Sequence, residues 1–354
     1  MNTRDHIFSG TKEVDEKLSI NQSNLEEYLK NIFGNKMSIN EIKQFKGGQS
    51  NPTYMIITNQ GDFVLRRQPP GKLLKSAHAV DREYRVITAL SQTDVPVPKT
   101  YDYCDNEDVV GTKFFLMDHV KGNIYWELIL PNLDEVARRD IYLSMNDTIS
   151  KLHNVDFEKI NLGDYGKHEN YMQRQIHRWT KQYKDSETQE IGEINKLIDW
   201  LPKNIPLEEE TSIVHGDFRL DNMIFDPETH QVKAILDWEL STLGNPIADF
   251  TYHMMSWRLP AAAKGLGMLG ADLKSLNIPS EDEYSELYYK KTGRNKIENW
   301  DFYMAYNIFR LAGIAQGIVG RVRDGTASSS EAKNYEAFVP ILGKIGWDIV
   351  RGIK

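Results

Sequence analysis

One stretch of the chain, IVHGDFRLDNMIFD at residues 213–226, constrains its fold and function more than any other. It places His215, Asp217 and Asn222 between two apolar runs, and Asp237 follows a further apolar run in AILDWE. The runs SIVHGD, NMIFD and VKAILDW are short enough to be strands, and the polar residues fall where such strands would turn. The segment therefore predicts short strands whose loops carry carboxylate and amide side chains.

The spacing of three of these residues fits phosphoryl transfer from ATP. Asn222 follows Asp217 by five residues, and Asp237 follows Asp217 by twenty. The reaction needs a carboxylate near the acceptor hydroxyl and hard oxygen ligands for magnesium, which protein kinases supply with D-x-x-x-x-N and then D-F-G. Because Asp and Asn are also common turn residues, a plain hairpin is the alternative interpretation. The complete series, which ends with P-x-x-D in NPIAD, favours the kinase interpretation.

Strand and helix patterns predict two parts of different composition. The first 120 residues are mainly strand-like, in INEIKQF, TYMIIT, DFVLRRQ and KFFLMDHV, with one helix inserted at residues 79–90. An earlier helix is predicted at residues 23–34, with a capping box of Ser23 and Glu26 and an end at Gly34. Helical patterns dominate from Asp134 onwards. A small sheet lobe followed by a larger helical lobe is an α+β layout.

The sequence reads H-G-D and D-W-E where protein kinases have H-R-D and D-F-G, and these variants resemble the aminoglycoside phosphotransferase and choline kinase family of small-molecule kinases. The resemblance implies a two-lobed protein-kinase-like fold, with an N-terminal antiparallel sheet lobe that contains one key helix and a larger, mostly helical C-terminal lobe. It implies that Asp217 is the catalytic base and that Asn222 and Asp237 bind Mg²⁺. It also implies that His215 braces the catalytic loop and that Asp249 ties the loop down from the following helix.

We expect three parts along the chain. Residues 1–20 are polar and predicted to be a flexible tail. Residues 21–119 form the nucleotide-binding lobe, and residues 120–354 form the catalytic and substrate-binding lobe. The predicted hinge lies near residues 118–122, in DHVKG.

The N-terminal part carries residues suited to a nucleotide. FKGGQSNPTYMI places Gly47 and Gly48 between two strands, where glycine lets the backbone approach phosphate oxygens, and Ser50 adds a polar contact. Gly-Gly is also common in hairpin turns. The resemblance assigns this stretch to the family's shortened glycine loop. It assigns Met117 and the backbone groups of Asp118 to Val120 to the adenine pocket, although a plain core position is the alternative for Met117.

Kinases also need a cation on the third strand, held by a carboxylate on a helix. In FVLRRQP the two candidates are Arg66 and Arg67, and in VDREYRV the carboxylate is Glu83. Strand alternation puts the two arginines on opposite faces, and we favour Arg66. An Arg in place of the kinase Lys keeps the charge but presents a planar fork. A surface charge on the strand is the alternative.

Arg219 lies two residues after Asp217, where protein Ser/Thr kinases often carry Lys. We expect it to stabilise negative charge that develops on the transferring phosphoryl oxygens. A solvated loop charge is the alternative interpretation.

Longer stretches resemble one branch of the family more specifically. They are KLLKSAHAVDREYRV, YMQRQIHRWTKQY, LNIPSEDEYSELYYKKTGR and NIFRLAGIAQGIVGRVRDGTAS. This branch is the kinase-like domain fused ahead of acyl-CoA dehydrogenase modules in some eukaryotic proteins, and it has free-standing bacterial relatives. It implies that the phosphoryl acceptor is a hydroxylated acyl group, as in a hydroxyacyl-CoA.

The acceptor remains open on the residues alone. His78, Arg310 and Arg321 could hold the phosphates of coenzyme A, or they could belong to solvated faces. A polycationic aminoglycoside would instead need acids in the acceptor cleft, for which Glu239 is a candidate. A choline-like alcohol kinase is a further alternative. A non-catalytic nucleotide-binding module is the alternative of another class, and the complete set of Asp217, Asn222 and Asp237 disfavours it.

Composition limits the partners and the compartment. The net charge of -8 offers no global basic field for nucleic acid or an anionic membrane, and the single cysteine, Cys104, excludes an internal disulfide framework. The polar N-terminus shows no apolar signal region, and no apolar run has the length of a membrane span. We therefore expect a cytoplasmic enzyme with ATP and Mg²⁺ as cofactors, a small-molecule substrate, and neither nucleic-acid nor membrane partners.

Overall fold

The computed structural model describes residues 9–47, 51–71, 78–207, 210–261, 265–325 and 333–353. The chain divides into two compact units. Unit 1 comprises Met1–Trp126, Glu158–Leu162 and Arg219–Ser241, and unit 2 comprises Glu127–Phe157, Gly163–Phe218 and Thr242–Lys354. The predicted α+β layout is confirmed, because unit 1 holds the large sheet and unit 2 is mainly helical. The division differs from the expected boundary at residue 120, since the chain enters unit 2 after Trp126 and returns to unit 1 twice.

The described residues form ten strands and ten α-helices. The strands are β1 (Thr11–Lys12), β2 (Ile39–Phe45), β3 (Thr53–Thr58), β4 (Gly61–Arg67), β5 (Thr100–Cys104), β6 (Phe114–Asp118), β7 (Ser212–Val214), β8 (Met223–Phe225), β9 (Val232–Ile235) and β10 (Thr242–Gly244). The helices are α1 (Gln22–Phe33), α2 (Val80–Leu90), α3 (Glu107–Val110), α4 (Glu135–His153), α5 (Tyr171–Ser186), α6 (Gly192–Trp200), α7 (Pro246–Met254), α8 (Glu281–Thr292), α9 (Trp300–Arg323) and α10 (Lys333–Val350).

The main sheet of unit 1 is antiparallel, with the strand order β1-β2-β3-β4-β6-β5. Residues of β4 alternate between its two faces. Leu65 packs in a core that includes Leu25 and Leu29 of α1, together with apolar residues of β3 and β6. Arg66 lies on the opposite face, where it meets Glu83 of α2. The sheet thus has a mainly apolar face under α1, and its opposite face carries the buried pair of Arg66 and Glu83.

The polar tail predicted at residues 1–20 makes ordered contacts over part of its length. Thr11 and Lys12 pair with β2, opposite Phe45 and Gln44. The backbone carbonyl of Leu18 accepts hydrogen bonds from the Tyr54 hydroxyl, at 2.7 Å, and from Arg67 Nη2, at 2.8 Å. The segment is held in place, where a flexible tail was predicted, because the buried guanidinium of Arg67 needs hydrogen-bond acceptors. The Leu18 carbonyl is one of them.

The prediction for the start of α1 is wrong by two residues. Asn21, rather than Ser23, caps the helix, and its side chain accepts a hydrogen bond from the Asn24 backbone at 3.1 Å. Glu26 accepts a hydrogen bond from the backbone of Ile39 at 2.9 Å, so it anchors β2 instead of completing a capping box. The predicted end at Gly34 is confirmed, and Gly34 has a positive φ of 98°.

Unit 2 is organised around α7, all nine residues of which are buried. Phe250 of α7 stacks on Tyr288 of α8 with ring centroids 3.8 Å apart. The side chain of Asn245 caps the first turn by accepting hydrogen bonds from Ile247 and Ala248. In the part of the chain that the structure describes, no helix is both long enough and apolar enough to cross a membrane.

A close backbone contact fixes the connection that follows β6 in unit 1. Asn123 and Phe225 exchange two backbone hydrogen bonds of 2.8 Å. A Cβ atom at Gly122 would lie 2.4 Å from the Phe225 carbonyl oxygen, so no larger residue fits without movement of the backbone. Glycine is therefore required at this position by packing.

We predict that Gly122→Ala lowers the free energy of unfolding by about 1–3 kcal/mol, because the added methyl group overpacks against β8. The measurement is the urea denaturation midpoint. Gly192→Ala is the matched control, since a Cβ there meets nothing within 4 Å and we expect little change. Equal midpoints for the two variants would contradict the prediction.

Candidate active site

The hairpin of β8 and β9 brings Asn222 and Asp237 to the same end of a small sheet in unit 1. Met223 pairs with Ile235, and one step further along the ladder the Leu236 N–H donates to the Asn222 carbonyl at 2.8 Å. Asp237 follows directly. The antiparallel register thus places the two oxygen-bearing residues that were predicted as magnesium ligands on neighbouring strands.

The backbone of Asp237 adopts an uncommon conformation. Its φ of 63° and ψ of 64° lie in the left-handed region, which is costly for most residues and more accessible to Asp and Asn. The next residue, Trp238, is buried, and its indole N–H donates to the Ile235 carbonyl at 3.0 Å. Burial of Trp238 and its hydrogen bond to Ile235 thus stabilise the turn at D-W-E.

Arg66 connects three elements of unit 1. Its Nε lies 2.8 Å from Glu83 Oε2 on α2, and its Nη2 lies 2.5 Å from Asp237 Oδ1 after β9. Arg67 points to the other face, where it donates to the Tyr54 hydroxyl and to backbone carbonyls of Val110 and Leu18. Of the two candidates left open by sequence, Arg66 is therefore the one that faces the predicted metal ligands.

Further polar residues surround this ion pair. Asn51 is fully buried, and its Nδ2 donates to Glu83 Oε1 at 2.9 Å and to Glu239 Oε2 at 3.4 Å. Its Oδ1 lies 3.0 Å from His78 Nδ1. Burial raises the pKa of Glu83 to about 7, against the opposite effect of Arg66. Three carboxylates, those of Glu83, Asp237 and Glu239, act on the Arg66 guanidinium.

A cavity of about 360 Å³ in unit 1 adjoins these groups. One part of its wall is apolar and another part is charged. The apolar part includes Val64, Ile87, Met117, Ile224 and Ile235, and the polar part includes Arg66, Glu83, Asn222 and Asp237. Gly47, Met117, Asp118 and Val120, all predicted from sequence to contact a nucleotide, also line the cavity. An apolar wall for a base and a charged end for phosphates is the composition that a nucleotide site needs.

Asp118, whose backbone was predicted to contact adenine, makes two hydrogen bonds to neighbouring segments, and its contact with a base remains a prediction. The backbone N–H of Asp118 donates to the Lys99 carbonyl at 2.8 Å, which leaves the predicted contact to the other backbone groups of this stretch. The Asp118 carboxylate accepts a hydrogen bond from the Tyr101 hydroxyl at 2.5 Å. Two predicted phosphate contacts, Gly48 and Ser50, lie outside the described residues.

The H-G-D loop lies in unit 2, directly after β7. Both carboxylate oxygens of Asp249 accept backbone hydrogen bonds of 2.8 Å, one from His215 and one from Gly216. Gly216 has a φ of 84°, which explains the glycine of this motif. The Asp217 N–H donates to His215 Nδ1 at 3.2 Å. These contacts fix the backbone that leads into Asp217.

A buried histidine supports Asp249, and no sequence pattern had indicated it. His153, at the end of α4, places its Nε2 3.2 Å from Asp249 Oδ2 and its Nδ1 2.8 Å from the Tyr288 hydroxyl. Burial lowers the pKa of His153 despite the neighbouring carboxylate. Burial opposes ionisation of Asp249, but His153 and the backbone of His215 outweigh it and lower the pKa of Asp249 below its ordinary value. The contact with His153 thus supports the charged form of a buried carboxylate.

Two further residues contact the loop from unit 2. The Tyr252 hydroxyl donates to Asp217 Oδ1 at 2.7 Å. Arg310 Nη2 donates to the Gly216 carbonyl at 2.5 Å, and the Arg310 side chain is buried. Arg310 was considered as a cation for coenzyme A phosphates, yet its guanidinium is directed into unit 2. Arg321 is exposed on α9.

Arg219 lies in unit 1 and contacts a neighbouring carboxylate. Its guanidinium forms a two-pronged contact with Asp221, in which Nε lies 3.1 Å from Oδ1 and Nη2 contacts Oδ2. Its proposed role at the phosphoryl group remains a prediction. Within the described ranges, no group of three or more His, Cys, Asp or Glu side chains is arranged to hold a metal ion.

Comparison with known proteins identifies the family. The model of the phosphotransferase enzyme family matches residues 41–287, so the chain belongs to the phosphotransferase enzyme family. It is 42% identical over 340 residues to acyl-CoA dehydrogenase family member 10 of Mus musculus, covering 96% of this chain and 32% of that protein. It is 37% identical over 324 residues to acyl-CoA dehydrogenase family member 11 of Homo sapiens, covering 91% of this chain and 41% of that protein. The chain therefore spans about a third to two fifths of these relatives.

Solved structures confirm the predicted kinase-like fold. A candidate aminoglycoside phosphotransferase from Ralstonia eutropha superposes with a TM-score of 0.87 at 45% identity, covering 95% of this chain and all (100%) of that chain. A spectinomycin phosphotransferase, solved with ADP and spectinomycin, gives a TM-score of 0.63 at 11% identity and covers 94% of this chain and 99% of that chain, a likeness of fold alone. The family and the branch predicted from sequence are thus both confirmed.

We predict that Asp249→Asn lowers the free energy of unfolding by about 3 kcal/mol, because the amide group offers one oxygen and sets an NH₂ group against a backbone N–H. The measurement is urea denaturation followed by circular dichroism. The matched control is Asp185→Asn, which alters an exposed pair with Lys181 and should change little. A midpoint as high as that of the control would contradict the prediction.

Proposed function

We propose that the protein is an ATP- and magnesium-dependent small-molecule kinase that transfers the γ-phosphoryl group to a hydroxyl group. The observation that carries the proposal is the position of Asn222 and Asp237 at one end of the β8–β9 hairpin, in the wall of a cavity that also contains Arg66. Membership of the phosphotransferase enzyme family supports the same chemistry.

The residues present fit a magnesium ion that arrives with a nucleotide. Asn222 and Asp237 offer an amide oxygen and a carboxylate, which are the hard ligands that Mg²⁺ prefers. Magnesium in kinases is held by few protein ligands together with phosphate oxygens, so a larger carboxylate cage is not required. The three carboxylates that act on Arg66 also favour a divalent cation at this place. When bound, the ion neutralises charge on the phosphates.

Arg66 is the residue proposed to hold the α and β phosphates. Its guanidinium presents several donors in a plane, which suits phosphate oxygens. Glu83, which is almost fully buried, keeps the guanidinium in place through the 2.8 Å contact at Nε. The Asp237 partner of Arg66 is shared with the proposed metal site, so phosphate binding and metal binding are coupled in this arrangement.

Asp217 is proposed to act as the catalytic base. The acceptor oxygen forms a bond with the γ phosphorus as the bond from that phosphorus to the β–γ bridging oxygen breaks. The hydroxyl proton passes to the Asp217 carboxylate, and ADP leaves with the bridging oxygen. Catalysis then comes mainly from positioning and charge stabilisation, to which Arg219 would contribute.

For the acceptor, we propose a hydroxyl on an acyl group, as in a hydroxyacyl-CoA. Two of the most similar relatives are named as members of the acyl-CoA dehydrogenase family, which supports an acyl substrate. The cations considered for coenzyme A give less support, because Arg310 is buried and His78 contacts Asn51. An aminoglycoside is the second candidate, favoured by the name of the Ralstonia eutropha protein at 45% identity.

We predict that the wild-type protein, with ATP and Mg²⁺, phosphorylates a hydroxyacyl-CoA in a panel that also contains choline-like alcohols and aminoglycosides. Asp217→Asn should reduce transfer by at least about 10³-fold while ATP binding persists, because the variant keeps the shape but loses the base. Transfer is measured as labelled phosphate in the acceptor, and binding is measured by calorimetry.

The outcomes separate the alternatives. Transfer to aminoglycosides alone would keep the mechanism and replace the acceptor. ATP binding without transfer to any member of the panel would favour a non-catalytic nucleotide-binding module. Loss of both ATP binding and folding in Asp217→Asn would mean that this residue is structural.

A further inference from the structure

Arg310, on α9 of unit 2, is a buried cation with an unusual set of partners. Its side chain is 6% exposed, and among the residues that the structure describes no carboxylate lies within ion-pair distance of it. Its one hydrogen bond goes from Nη2 to the Gly216 carbonyl, and its Nε has no hydrogen-bond partner. A buried charge is costly unless its surroundings compensate it, so this arginine requires an explanation.

The compensation comes from aromatic rings and from the catalytic loop. The Arg310 guanidinium carbon lies 4.4 Å from the centre of the Tyr252 ring and 5.4 Å from that of Trp179. Such distances are typical of cation–π contacts. Burial lowers the pKa of Arg310, but Tyr252 and other tyrosines, and then Asp217, more than offset this and raise it. The charged arginine therefore lies against the ring of Tyr252 and the carbonyl of Gly216, the residue before the proposed base.

Tyr252 connects this cation to the base itself. It lies on α7, three residues after Asp249, so both residues are on one side of the helix. Asp249 holds the loop backbone at His215 and Gly216, and the Tyr252 hydroxyl holds the Asp217 side chain at Oδ1, 2.7 Å away. One buried helix thus fixes both the backbone and the side chain of the loop.

We propose that Tyr252 and Arg310 are positioning residues for Asp217. The hydrogen bond from the Tyr252 hydroxyl to Asp217 Oδ1 fixes the orientation of the carboxylate that is proposed to accept the hydroxyl proton of the acceptor. The Arg310 guanidinium contacts the ring of Tyr252 and donates to the Gly216 carbonyl. Both contacts restrict the groups that hold Asp217, and so they limit rotation of the Asp217 carboxylate. The inference rests on the proposed role of Asp217 in phosphoryl transfer.

The test is a double-mutant cycle of Tyr252→Phe in the wild-type and Asp217→Asn backgrounds. Single-turnover transfer from labelled ATP is measured with the acceptor that the panel identifies. In the wild-type background we expect a loss of about tenfold in the transfer rate with the KM for ATP unchanged, because misplacement of a reacting group slows the chemical step. In the Asp217→Asn background we expect a loss below about twofold, since no base remains to be positioned.

Tyr142→Phe is the matched control. The Tyr142 hydroxyl is equally buried in unit 2 and donates to the Leu128 carbonyl at 2.7 Å, away from the loop. Its removal should leave transfer within about twofold of the wild type, as expected for a purely structural contact. Arg310→Lys is the second variant, because it keeps the charge but lacks the planar fork, and it should also lower the transfer rate without changing the KM for ATP.

Equal losses of rate in the two backgrounds, or no loss in the wild-type background, would overturn the inference and leave the proposed function intact. A loss in Tyr142→Phe as large as that in Tyr252→Phe would likewise overturn it, because general destabilisation would then explain both. Absence of any transfer by the wild-type protein would overturn the proposed function, and the positioning role with it.

Discussion

The buried ion pair between Arg66 and Glu83 is the interaction on which the candidate nucleotide site depends. Neither charge could be buried alone, because removal of an unpaired charge from water costs several kcal/mol. Their pairing at 2.8 Å therefore ties β4 to α2, and the second contact of Arg66 ties both elements to Asp237 after β9. Three segments that are far apart in sequence are held at one point. Arg66, Glu83 and Asp237 all line the cavity, so this contact fixes part of its polar wall.

Unit 2 uses a buried carboxylate for a similar purpose. Asp249 accepts both backbone amides of the H-G segment, and His153 supports it from α4. Backbone amides that point inward in a tight turn would otherwise lack acceptors, and an unsatisfied buried amide costs about 1–3 kcal/mol. The carboxylate thus stabilises the turn that presents Asp217. Each unit thus contains a buried polar contact that holds a loop or strand end in place, Arg66 with Glu83 in unit 1 and Asp249 with the H-G segment in unit 2. Each contact positions residues to which we assign a role in phosphoryl transfer.

Local patterns were sufficient to predict much of the fold and part of the site. Alternation along DFVLRRQ predicted that Arg66 and Arg67 face opposite ways, and the apolar runs after residue 217 predicted the short strands beside Asn222 and Asp237. Contacts that depend on packing between distant segments left no such pattern. Tyr252 and His153 belong to no motif in the sequence, and Arg310 was considered only as a cation for coenzyme A phosphates or as part of a solvated face. Asn21 and Ser23 are both good capping residues, and the local sequence does not distinguish them. A capping box at Ser23 would need Glu26, but Glu26 accepts a hydrogen bond from Ile39 instead, and Asn21 caps the helix.

The measurement that tests the account most directly is calorimetric titration of ATP into the wild-type protein and into Arg66→Gln, each with and without Mg²⁺. We predict that wild-type binding requires Mg²⁺ and that Arg66→Gln weakens it by at least about tenfold, since charge-assisted hydrogen bonds to phosphate contribute about 1.5–3 kcal/mol. Circular dichroism of the variant checks that it is folded. Equal affinity of the two folded proteins for ATP, or wild-type binding that is indifferent to Mg²⁺, would contradict the central claim that Arg66 organises a magnesium–nucleotide site.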